Sequence, residues 1–234
     1  MNRKFYCIIS LTLLLWTGWA SGASIHVFVP SNVRPNVLKK KLENACPHIT
    51  FTVFGRGQDF IQFLQLQAPD IILTLPPLLE SSVGYQYFRQ GYKNGNTTEP
   101  YVLVSKDTAI DITKLSQKSI GVVDLMGREL MTEFIHRTLN QNVKVKRVTK
   151  IEDLLPLLLF DAVDAIFVSH NIYLSLTEKS HLRLVAVDAN SAIGLTTVAT
   201  NTTAKTNHAI LAACINNFDA QLNAMLGVEK WTTN

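Results

Sequence analysis

Ser24 to Leu75 reads SIHVFVPSNVRPNVLKKKLENACPHITFTVFGRGQDFIQFLQLQAPDIILTL. Three short apolar runs, Ser24 to Val29, Ile49 to Phe54 and Asp70 to Leu75, alternate with two amphipathic stretches, Asn32 to Cys46 and Gln58 to Gln67. In the first amphipathic stretch Val37, Leu38, Leu42 and Ala45 recur at helical spacing, and Lys39, Lys40 and Lys41 point away from them. The third run stops at Pro76-Pro77. This is β-α-β-α-β in about fifty residues, the signature of a parallel α/β sheet covered by helices.

Upstream, Arg3 and Lys4 precede an apolar run from Phe5 to Trp16, and Ala20-Ser21-Gly22-Ala23 supplies small residues that a signal peptidase accepts. Residues 1–23 therefore read as an export signal cleaved near Ala23, with the periplasm as the expected location. The run is short for a span of ~20 residues, which argues against a retained anchor. Cys7 lies inside that run, so no cysteine stands at the cleavage point to take a lipid. Cleavage removes Arg3 and Lys4 from a formal net charge of +4. So weak a balance does not imply nucleic acid, and the basic clusters Lys39-Lys40-Lys41 and Lys144-Val145-Lys146-Arg147 carry no interleaved aromatic residues for stacking on bases.

Downstream, residues 80–99 lack a strong period and are rich in Gly, Asn, Tyr and Ser, which predicts loop or short helix. A strand is expected at Tyr101 to Ser105 and a short connecting helix at Asp111 to Lys118. The β-α alternation then restarts: strand Ser119 to Val123, helix Arg128 to Leu139, strand Val143 to Val148, helix near Ile151 to Phe160, strand Val163 to Val168, short helix Asn171 to Thr177, strand Leu182 to Val187. Thr149 with Glu152 has the form of a capping box, and Pro156 should kink or shorten the helix that follows. The chain closes with a strand-like run at Ile193 to Ala199 and a long helix from about Ala204 to Leu226. That helix carries Ile210, Cys214, Phe218, Leu222 and Met225 on one stripe, with Gly227 as its stop. After cleavage two cysteines remain, Cys46 and Cys214; one disulfide and two buried thiols both fit.

Three segments together resemble the phosphate/phosphonate-type periplasmic binding proteins: Pro69-Asp70-Ile71-Ile72-Leu73 through Pro76-Pro77, Lys118-Ser119-Ile120-Gly121-Val122, and Phe160-Asp161-Ala162-Val163-Asp164-Ala165-Ile166-Phe167. The resemblance implies the two-lobed type II fold, each lobe a mixed, mostly parallel sheet flanked by helices, joined by two crossing strands around a ligand cleft. It places residues 24–104 and 190–234 in lobe 1 and residues 105–189 in lobe 2, so that Cys46 and Cys214 share a lobe. The expected protein is a monomer that captures a small polar solute, an anion being one option, and works with a membrane permease or a sensor kinase, with no cofactor. The turn after the first lobe-2 strand departs from the hydroxyl-rich turn of that family, reading Asp124-Leu125-Met126-Gly127-Arg128.

In open α/β sheets ligands bind beyond the carboxyl ends of the strands. The candidates there are Ser31, Asn32, Arg56, Gln58 and Pro76 in lobe 1, and Asp124, Gly127, Arg128, Ser169, His170 and Asn171 in lobe 2. Ser31 and Asn32 read equally well as helix caps, and Arg56 in Gly55-Arg56-Gly57 as a solvated turn residue. Arg128 at a helix start favours an anion, and His170 suits a cleft or a cap. Among Tyr85, Tyr87, Tyr92 and Tyr101, one or two are expected to wall the pocket, with Tyr101 the foremost. His-Glu-x-x-His, Gly-x-Ser-x-Gly and Cys-x-x-Cys are absent from the sequence, which points away from an enzyme. Asp124 with His170 is the one acid-base pair a lyase on this scaffold would have.

Overall fold

The computed structural model describes residues 23–232 except Asn32, Ser81 and Val83. The export signal and the Asn32 candidate therefore lie outside the described residues.

The chain opens with β1 (Ser24–Val27), α1 (Pro35–Ala45), β2 (Thr50–Val53), α2 (Gly57–Leu66), β3 (Ile71–Thr74) and a short α3 (Pro76–Glu80). The β-α-β-α-β unit stands as expected. The helix starts three residues later than the reading from Asn32, because Pro35 fixes its own φ and needs no hydrogen-bonded N–H in the first turn. Ser31 does not cap it: its hydroxyl accepts from the Val33 amide at 3.0 Å, one turn too early. β4 (Tyr85–Tyr92) follows where loop was expected. Its aromatic residues suit a pleated strand, but alternation is spoiled by a register shift opposite Val198/Ala199 and by pairing on both sides.

β5 (Thr98–Lys106) leads through a 3-10 turn at Ile112–Gln117 to β6 (Ser119–Val123), α4 (Arg128–Leu139) and β7 (Lys144–Val148). A further 3-10 turn, Ile151–Asp153, precedes α5 (Leu154–Leu159). The Thr149–Glu152 capping box is not formed there: Lys150 occupies the cap position and no side chain caps the turn. Pro156 sits in the first turn of α5, where its missing N–H costs nothing. β8 (Ala165–Ser169), α6 (His170–Lys179), the eleven-residue β9 (Leu184–Gly194) and β10 (Thr197–Asn201) complete the alternation.

The expected long C-terminal helix is two helices, α7 (His208–Asn216) and α8 (Ala220–Met225), before β11 (Lys230–Trp231). Asp219 breaks the run by accepting from the Leu222 amide at 2.7 Å and so capping α8. The break rotates the apolar stripe: Leu211, Cys214, Ile215, Phe218 and Leu222 are buried, whereas Ile210 is exposed. Gly227 ends the segment at φ +76°, as a left-handed stop requires.

Two sheets result. One runs β11-β4-β10-β3-β1-β2 with β1 parallel to β2 and β3; the other runs β7-β6-β8-β5-β9 with β6 parallel to β7 and β8. β10 is antiparallel to β3 and β4, and β5 to β8 and β9, so both sheets are mixed. β5 and β9 pair from Thr98 with Gly194 to Lys106 with Leu184, all within the second sheet. The boundaries expected at 104/105 and 189/190 therefore fall inside these two strands.

Strand alternation distributes the core. Ile25, Val27, Ile71 and Leu73 face α1, α7 and α8, where Cys46 and Cys214 form a disulfide with their Cα atoms 5.2 Å apart. Ile72 and Ala199 on the other face join Phe60, Leu78 and Leu79 in a cluster that continues into Ile120, Leu125, Met126 and Phe134 of the second sheet and α4. The two sheets thus share one apolar cluster. A third cluster lies on the far side of the second sheet, where Val104, Ile166 and Val168 pack under α5 and α6.

Candidate functional site

A cavity of about 370 Å³ opens between the carboxyl ends of β1 and β2 on one sheet and of β6 and β7 on the other. From the first sheet it takes Pro30, Ser31, Arg34, Gly55, Arg56 and Gly57; from the second it takes Val123, Asp124, Thr149, Lys150, Ile151 and Glu152. The strand ends are held in register by backbone bonds that run past the strands, Phe28 N–H to the Leu73 carbonyl at 3.0 Å and Asp124 N–H to the Val148 carbonyl at 2.7 Å.

The charges are mostly spoken for. Arg56 grips Asp59 with Nε and a terminal nitrogen, both at 2.9 Å. Lys150 Nζ lies 3.5 Å from Glu152. Asp124 accepts from the amides of Gly127 at 2.6 Å and Met126 at 3.2 Å, and Arg147 Nε stands 3.8 Å away. Among the described residues Arg34 forms no ion pair. It is the cation at this cavity whose charge is not already met by a carboxylate, and its flexible guanidinium suits a carboxylate or a comparable oxyanion.

The close meeting of the sheets beside this cavity depends on Gly57. A Cβ there would lie 2.0 Å from the Leu125 carbonyl oxygen, so only glycine allows the first turn of α2 to touch the β6–α4 turn. Farther along, Arg137 of α4 reaches Glu80 of α3 at 3.7 Å.

The sequence candidates separate into groups. Ser31, Arg56 and Asp124 line the cavity. Gln58, Gly127 and Arg128 do not; the Asp124 carboxylate accepts from the Met126 and Gly127 amides in the turn before α4, not from the Arg128, Glu129 and Leu130 amides that open the helix. Pro76 is buried against Gly194 of β9, where an added Cβ would meet its ring at 2.5 Å. Ser169 is buried as the cap of α6, accepting from the Ile172 amide at 3.3 Å. His170 and Asn171 line a separate hollow of about 80 Å³ by residues 93–100, and Asn171 donates to Glu99 there. Asp124 and His170 therefore sit in different cavities and make no acid-base pair.

Of the four tyrosines Tyr101 lines a small pocket that it shares with Pro30, next to the main cavity. Burial, with the Glu99 carboxylate adding, holds its phenol well above the usual range. Tyr85 instead donates to the Pro69 carbonyl at 2.8 Å, and burial, Asp70 and Asn201 together leave it at about 12. Tyr92 lies under the Lys230 ammonium, 4.6 Å from its ring centre.

Sequence reasoning missed Arg34, Thr149 and Lys150. The latter two follow β7, so the strand-end rule that found Asp124 would have found them had the capping-box pattern not claimed that segment. Arg34 carried no comparable signal, because it lies five residues beyond the run read as the first strand. Among the described residues no group of His, Cys, Asp or Glu is placed to hold a metal ion, and no helix is long and apolar enough to cross a membrane.

No family model and no curated protein sequence matches the chain. Solved structures do. An amino acid ABC transporter substrate-binding protein from Streptococcus pneumoniae bound to L-arginine matches at 13% identity and a TM-score of 0.58, over 88% of this chain and 93% of that one. The periplasmic VFT2 domain of BvgS from Bordetella pertussis matches at 12% identity and 0.55, over 89% and 94%. The aliphatic sulphonate binding protein SsuA from Escherichia coli matches at 15% and 0.54, over 88% and 78%. The fold is that of the two-lobed type II periplasmic binding proteins; two of these neighbours are named as binding proteins, one bound to L-arginine and one for aliphatic sulphonates, and the phosphate/phosphonate type is not singled out among them.

Proposed function

We propose that the chain is an exported solute-binding protein that captures a small organic anion between its two lobes and catalyses nothing. The observation that carries this is the cavity at the facing strand ends, lined from both sheets and bearing Arg34, whose charge has no carboxylate partner among the described residues. A solute held by residues of both sheets gains its full contacts only when the lobes close, so binding shifts the population toward closure. The hinge in this reading is the pair of short connections between β4 and β5 and between β9 and β10. The closed surface then docks on a permease, in the periplasm, as a monomer. A phosphate or phosphonate ligand is disfavoured by Asp124, whose carboxylate lines the cavity and repels a multiply charged oxyanion.

The lobes meet through protein atoms, Gly57 against Leu125 and Arg137 with Glu80, so closure draws on direct packing as well as on solute. A thermal-shift screen of small organic acids, amino acids and inorganic anions tests solute capture, since a ligand of the native state raises Tm by mass action. The expected result is a shift of several degrees with an anionic solute, abolished in Arg34→Ala and reduced in Arg56→Ala. A shift that survives both variants, together with Lys150→Ala, places the ligand elsewhere.

A further inference from the structure

Beside the outer cavity lies a smaller chamber of about 50 Å³. Its wall shares Pro30, Val123 and Ile151 with the outer cavity, so the two spaces adjoin. The rest of the wall is aliphatic and aromatic, including Phe167, Ile172 and Ile193, and the Tyr101 hydroxyl is its one polar side-chain group. An ordered water is poorly served there, because it needs two to four polar partners. At about 10–15 Å³ per water-sized group, the chamber of about 50 Å³ has room for roughly three to five carbon atoms.

A charged cavity beside a carbon-lined one selects a ligand with the same division. We propose that the cleft takes a short-chain aliphatic acid, its anionic head in the outer cavity beside Arg34 and Arg56 and its alkyl tail in the smaller apolar chamber between Phe167, Ile172 and Ile193. This inference rests on solute capture in the outer cavity and adds the chemical class of the solute. Head and tail contribute separately: the head supplies orientation and charge neutralisation, and the tail supplies affinity that grows with the carbon it removes from water.

Isothermal titration of the protein with straight-chain carboxylates from ethanoate to octanoate, and with the alkanesulfonates of matching length, reads both parts and distinguishes the two kinds of head. Kd should fall about fourfold per added methylene until the chamber is full, then rise as longer chains no longer fit. Ile172→Ala enlarges the chamber and should move the optimum to longer chains; should that variant unfold, the smaller truncation Ile193→Val makes the same measurement. Arg34→Ala should weaken every member of the series by the same factor and leave the optimum where it was. A Kd independent of chain length overturns the tail site and leaves solute capture standing, as does a flat series beside a screening hit that carries no alkyl group. Absence of a thermal shift with any solute removes both.

Discussion

Loss of the Cys46–Cys214 bond should cost the fold about 5 kcal/mol. The bridge joins residues 168 apart in sequence, so in the unfolded chain it closes a loop that contains all of the second sheet and much of the first. Chain-entropy arithmetic for a loop of that length gives about 17 cal/mol/K, or about 5 kcal/mol at 25 °C. That is a large share of the 5–15 kcal/mol typical of a whole domain. The perturbation is the double variant Cys46→Ala/Cys214→Ala. The assay is guanidinium and thermal unfolding followed by the fluorescence of Trp231, which stands against Phe218 at 6.1 Å and donates to Asn223 at 2.9 Å. Tm should fall by about 10–20 °C, and the denaturant slope should rise because the unlinked chain expands further. The two cysteines are 4% and 5% exposed, so reductant should act on the native protein only through unfolding. Coincident unfolding curves, or two thiols titrated in the denatured but unreduced protein, would refute the reasoning.

Three other outcomes are expected. Gly57→Ala places a methyl group in the Leu125 carbonyl, so the lobes should part, and the radius of gyration from small-angle scattering should increase; an unchanged radius removes this contact as a determinant of closure. Burial lowers the pKa of His26, whose ring stacks on Phe63 at 4.5 Å. The unfolded chain therefore takes up a proton first as pH falls below about 6.5, stability drops from there toward the folded-state value, and Tm at pH 5.5 should recover relative to pH 7.5 in His26→Phe. Asp164 is partly desolvated, which opposes ionisation, yet the Ser119 amide and hydroxyl and Lys118 hold its carboxyl below the usual range. Asp164→Asn should cost about 1 kcal/mol at pH 7 and flatten the acid limb of the stability curve, since the wild-type contribution is lost as pH falls through the folded value; a variant as acid-sensitive as the parent refutes it.

How far the sequence could be read depended on how local each cause was. β6 and α4 lie at the residues expected, because an apolar run bounded by Ser119 and Asp124 and a glycine before Arg128 act within a few positions. β4 was invisible, since its strand character comes from being paired with β10 and β11, both distant in sequence. The break at Asp219 was legible in principle, for Asp is a favoured cap, but the continuous apolar stripe outweighed it.

By itself the sequence determined the α/β class, the repeat of the strand-helix alternation and the burial of Cys214, because these follow from short-range periodicity and from the exclusion of carbon from water. Tertiary structure alone decided the rest. Whether the two cysteines meet and which strand ends face each other across the cleft are questions of distance between residues far apart in the chain. Arg34 and Lys150 became one site only when β1 and β7 were brought to opposite walls of the same cavity, and no pattern along the chain encodes that separation.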